Sequence, residues 1–151
     1  MYNKKNIMSS EKIYKKLLKK MLTIEILGYN LYNILASKTH DENLESIYEE
    51  LAIGEQHTAQ YIKQQLSNKH APNKPIIALA WLIFKMLSEK QLSFILKNTL
   101  EKRIYSKWFK MYNNKNEEFW RILLEHENIQ HELLIHFWNK KGGMYGQRKY
   151  F

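Results

Sequence analysis

Glu25 stands where an amphipathic helix would carry an apolar side chain. Within residues 18–36 (LKKMLTIEILGYNLYNILA), Leu18, Leu22, Glu25, Tyr29, Tyr32 and Ala36 recur at alternating steps of four and three, so they share one helix face. That spacing predicts an inward carboxylate. Burying one costs several kcal/mol unless it is paired, protonated or bound to a metal, so the chain must supply a partner from another segment. The alternative is a Glu at the edge of the stripe, salt-bridged to one of the many lysines.

Three further stretches offer partners. Leu51, Glu55, Thr58 and Ile62 form a second stripe with Ala52 and Ala59 beside it, which turns Glu55 inward and places His57 about 200° away round the helix. Rotating that helix so that Ile53, Gly54, His57 and Tyr61 face the core reverses the roles; the longer stripe favours Glu55. Phe94, Glu101, Tyr105 and Trp108 share a face, so Glu101 is either a third inward carboxylate or a solvated charge next to Lys102 and Arg103. Near the end, Trp120, Leu124, Glu127, His131, Leu134 and Trp138 bracket a Glu and a His that could ligate one ion together. The adjacent stripe Phe119, Ile122, His126, Ile129 and Leu133 makes His126 the competitor, or a core histidine bonded to a polar neighbour. The chain has no cysteine, which excludes disulfides, thiolate zinc sites and cysteine nucleophiles; any metal is held by oxygen and imidazole.

The elements that must position these residues are all helical. At 151 residues, 44% apolar and 13% aromatic, the chain has the size and composition of one domain with one core. Ser10 can cap a helix over 11–37, and Asp41 or Asn43 a second over 42–66. Pro75 opens a helix-forming run to Tyr112 that is too long for one ordinary helix, so a break is predicted near Ser88 and Glu89, giving a short third helix and a longer fourth. A last helix over 117–141 stops at Gly142 and Gly143. The expected architecture is all-α, an antiparallel four-helix bundle over 11–141 with an extra short helix before the third long one, a basic N-terminus at 1–10 and a tail at 142–151.

The apolar run 75–87, interrupted by Lys85, falls well short of the roughly 20 residues a spanning helix needs and reads as a core helix. The N-terminus lacks the apolar centre and cleavage site of a signal peptide, so a cytoplasmic protein is expected. Apolar residues on nearly all sides of 119–138, with Trp81 and Phe84, exceed what one core needs and predict a homodimer. The net charge of +9 gathers in Lys4, Lys5, Lys12, Lys15, Lys16, Lys19 and Lys20 and again at Lys140, Lys141, Arg148 and Lys149. On electrostatics alone it leaves open a basic protein that binds nucleic acid or an anionic membrane surface. No helix-turn-helix, zinc-finger or aromatic single-strand-binding pattern accompanies it, and the excess of Lys over Arg beside many Asn, Ile and Tyr fits a coding bias.

Glu25, Tyr32 and Ala36, the LAxxExxxA of Leu51, Ala52, Glu55 and Ala59, the Pro-led apolar helix, an inward Glu and the late pair His131 and Glu132 resemble the rubrerythrin-like branch of the ferritin-like superfamily. The nearest likeness is to the small ferritin-like domains associated with vacuolar-iron-transporter-type proteins, over roughly Leu18 to Trp138. In that family one Glu on each of two helices and a Glu-x-x-His on each of the other two hold a carboxylate-bridged di-iron centre. Here Thr58 stands at one histidine position with His57 beside it, and Asn128 at one glutamate position with Glu127 beside it, each displaced by about 100°. The resemblance implies iron held by Glu25, Glu55 and His131, with Glu101, Glu127 and His57 as further donors and Tyr29, Tyr32 and Tyr105 beside them, as a di-iron centre or a single ion. It also implies an oxidoreductase that oxidises Fe(II) with dioxygen or peroxide, fed by a separate electron donor. The competing expectation is a metal-free ferritin-like module with a structural or interaction role.

Overall fold

The computed structural model describes residues 4–67 and 70–140, with side chains described for 10–67 and 70–139. The described residues are helical and contain no strand: α1 (Lys4–Lys38), α2 (Glu42–Gln65), α3 (Lys74–Met86), α4 (Glu89–Glu101), α5 (Ile104–Tyr112) and α6 (Glu117–Lys140). The expected tail at 142–151 lies outside the described residues. α1 starts before Ser10, which lies inside the helix, and ends at the short connector 39–41. There the Asp41 carboxylate accepts from the backbone N–H of Asn43 and of Leu44, both at 3.1 Å, and so caps α2. Ser88 and Gln91 form a reciprocal capping box that starts α4, which accounts for the break expected near Ser88.

The long fourth helix expected to run on to Tyr112 is two helices. Arg103 sits in the left-handed region at φ 48° and ψ 54°, which ends α4 and resets the helical phase before α5. Residues on either side of it therefore do not share a face: α4 buries Leu92, Leu96 and Leu100, whereas α5 buries Tyr105. The run 75–87 is not a core helix either. α3 has no buried residue; it lies on α1, and the Lys38 ammonium donates to the carbonyls of Lys85 and Leu87 at 3.1 and 2.9 Å, tying down its C-terminal end.

α1 packs along α2 and touches α3 and α4, while α6 packs on α2, α4 and α5. Two apolar clusters result. One gathers Leu31, Leu35, Tyr48, Leu51, Leu92 and Leu134; the other gathers Leu18, Met21, Leu22, Ile62, Phe119, Trp120 and Leu123. On α1, α2 and α6 alike, the buried polar residues fall between the segments that feed the two clusters: Glu25, then Glu55 and Thr58, then Glu127 and Gln130. The core is thus an apolar layer, a polar layer and a second apolar layer. Among the described residues no helix is long and apolar enough to cross a membrane.

Candidate metal centre

The polar layer places three ligand-type side chains together. Glu25 from α1, Glu55 from α2 and His126 from α6 each offer a donor atom, all within 4.8 Å of one another. His126 Nε2 lies 3.5 Å from Glu55 Oε1 and 3.9 Å from Glu25 Oε2. Glu25 is 1% exposed and Glu55 6%, and of the three the His126 side chain is nearest solvent.

Two glycines make room for them. A Cβ on Gly28 would stand 2.7 Å from the Glu55 carboxylate, and one on Gly54 would stand 2.8 Å from the His126 imidazole. Both lie inside helices, where glycine costs about 0.5–1 kcal/mol relative to alanine, so close approach is the compensating use. Gly28→Ala is expected to push the Glu55 carboxylate aside while leaving helix content intact and, if the cluster holds a metal, to lower its affinity by about tenfold or more. Metal titration of the variant followed by circular dichroism measures both; unchanged affinity would mean that Glu55 is not a ligand.

The remaining contacts orient the carboxylates. The Tyr105 hydroxyl donates to Glu25 Oε1, and the Gln130 amide donates to Glu55 Oε1 while lying 3.0 Å from His126 Nε2. Glu25 Oε2 and the Tyr32 hydroxyl are buried without a hydrogen-bond partner. Burial raises the Glu25 carboxyl well above the ordinary carboxylate range, and the neighbouring Glu55, by charge and by hydrogen bonding, and then Glu127 raise it further. The Tyr32 phenol is raised for the same reasons, by burial first and then by Glu55, Glu25 and Tyr48. Among the described residues no lysine or arginine pairs with Glu25 or Glu55. Two carboxylates and one imidazole in a dry layer need either protons or a cation to approach neutrality.

Several expected ligands lie elsewhere. His131 is half-buried on the other flank of α6, in a cleft with Asn43, Ile47 and His136, and His126 takes the place expected of it. His57 is exposed, and so is Glu101, which stands 4.0 Å from Lys97; the phase reset at Arg103 removes Glu101 from the face of Tyr105. Glu127 is buried but turned to the start of α5: Oε1 accepts from Tyr105 N–H at 2.9 Å, and Oε2 accepts from Ser106 N–H at 3.0 Å and from its hydroxyl at 2.9 Å, with Arg103 at 3.8 Å. It supplies the cap that Arg103 does not. Tyr105 and Tyr32 lie in the polar layer; Tyr29 is exposed.

Sequence reasoning missed Gln130 and Gly28, placed Gly54 only on the alternative face of α2, and ranked His126 below His131. The signal for the glycines was their position inside strongly periodic helices. Thr58 and Gln130, each three residues after an inward Glu, occupy the two i+3 positions, and Thr58 spends its hydroxyl on the Gly54 carbonyl at 3.0 Å. Comparison with protein-family models, with curated proteins and with solved structures finds no match to this chain.

Proposed function

We propose that this chain is a ferritin-like carboxylate bundle that binds a single divalent metal ion, iron by the resemblance of its sequence, through Glu25, Glu55 and His126. In this reading α1, α2, α4 with α5, and α6 are the four limbs of the bundle, and α3 is the extra short helix. The observation that carries it is the convergence, in a layer closed on both sides by apolar clusters, of two uncompensated carboxylates and one imidazole within reach of one ion. Hard oxygen donors with one nitrogen suit Fe(II), Mn(II) or Zn(II), and three protein ligands leave positions for water or an oxidant. Oxidation of Fe(II) by dioxygen or peroxide is the activity consistent with iron there, with electrons for further turnovers drawn from a separate donor. A single ion is favoured over a pair because three ligand-type side chains converge there and the buried neighbours Thr58 and Gln130 add no imidazole or carboxylate.

Anaerobic Fe(II) titration and metal analysis of protein purified without chelator test this. About one equivalent per chain, lost on substitution of Glu25, Glu55 or His126, is the expected outcome. Two tightly held ions would overturn the single-site reading, and no binding of Fe(II), Mn(II) or Zn(II) would overturn metal binding altogether. The second reading, a metal-free module, is favoured by one observation: the Gln130 amide already bridges Glu55 and His126. With Glu25 protonated, the layer holds one negative charge fewer for an ion to offset.

A further inference from the structure

α3 presents a surface that the fold does not use. Ile77, Ala80 and Phe84 are half-buried, while Ile76, Leu79, Leu82, Ile83 and Met86 point outward, Met86 with 87% of its surface exposed. At 100° per residue these five aliphatic side chains cover an arc of about 120°. Lys74 and Lys85 lie beyond one edge of the arc, and the Lys85 ammonium sits 4.0 Å over the ring of Trp81, itself exposed. No acidic residue occurs in α3. Lys38 ties the C-terminal end of the helix to α1, and the aliphatic face is presented to solvent. Contiguous apolar area of this kind marks an interaction site.

We propose that α3 is a membrane-surface helix that seats this protein on bilayers containing anionic phospholipid. The outer aliphatic face enters the boundary between headgroups and acyl chains, and the long side chains of Lys74 and Lys85, beyond its edge, reach headgroup level, the arrangement that an in-plane interfacial helix requires. At 13 residues α3 is about 20 Å long and lies in the surface without spanning it. Charge decides between the two occupants that could cover this face. The chain carries a formal +9, so a second copy would bring like charge to a lysine-edged apolar face, whereas an anionic leaflet brings the opposite charge. This inference does not depend on the metal centre.

Vesicle flotation of the full chain tests it, with phosphatidylcholine alone and with phosphatidylcholine plus phosphatidylglycerol. The protein is expected to float with the anionic vesicles and much less with the neutral ones. The double variant Leu79→Glu/Ile83→Glu, at two exposed positions, should keep its helical circular dichroism and bind the anionic vesicles roughly tenfold more weakly or worse. No recruitment to anionic vesicles would overturn the proposal. Recruitment unchanged in the double variant would do so as well, since it would assign binding to the lysines of α1. A dimer by light scattering that the double variant dissolves, without vesicle binding, would assign the face to a second copy.

Discussion

Glu25→Gln is expected to abolish metal binding and, in the metal-free protein, to raise stability at neutral pH by roughly 1–3 kcal/mol, the usual cost of a poorly satisfied buried polar group. Glutamine keeps the shape of the side chain and an oxygen to accept from Tyr105, so the change removes a charge and little else. Loss of a direct ligand should lower affinity by more than about a hundredfold, since disturbing the groups that merely orient a ligand already costs 10–100-fold. The folded carboxyl titrates well above its ordinary value of 4.5, because of burial first and then Glu55 and Glu127. In that interval the folded state binds more protons than the unfolded chain, so stability falls as pH rises. The contribution is complete below the unfolded value and is lost as pH climbs through the raised one. Thermal melts of metal-free wild type should therefore decline from mildly acidic toward neutral pH, and melts of the variant should lack this component. Parallel pH profiles for the two proteins would show that Glu25 is not the group that titrates.

Glu127→Ala should be among the most damaging single substitutions, at about 2–4 kcal/mol by urea denaturation, because it breaks three hydrogen bonds to one charged acceptor and strands a buried N–H at Tyr105. α5 is only nine residues long, too short to persist by its own propensity, and its first turn has no side-chain cap from Arg103. The effect is on the metal-free fold. Were Glu127 instead a ligand, its replacement would lower metal affinity and leave metal-free stability nearly unchanged; that pattern would refute the capping role.

The inward positions of Glu25 and Glu55 were legible because long uninterrupted helices keep a constant phase, so one stripe of apolar neighbours fixes the face. Glu101 was misplaced because its stripe was drawn across Arg103, and a single left-handed residue erases the phase relation on which such stripes depend. On α6 the difficulty was different. Two adjacent stripes are both apolar, and the helix buries the line between them, Phe119, Trp120, Leu123, Glu127, Gln130 and Leu134, leaving His126 on one flank and His131 on the other. Periodicity cannot choose between two histidines that straddle the buried line. What chooses is the pair of glycines, Gly28 and Gly54, whose missing side chains admit Glu55 and His126, and that choice is made only when three helices are brought together.

The polar layer between two apolar layers also acts as a ruler for assembly. Leucine-rich helices can slide past one another at little cost, since one leucine replaces another in the seam. A slip of one turn, about 5.4 Å, would drive Glu25 into the leucine layer on one side or the Phe119–Trp120 layer on the other, unpaired in either. The connector at 39–41 makes α1 and α2 a hairpin of low closure entropy, so bringing the two carboxylates together costs little chain entropy. α6, the last of the described helices, adds His126 and Gln130 beside them. A core of leucine alone would reward any collapse; this one rewards a single alignment of α1, α2 and α6.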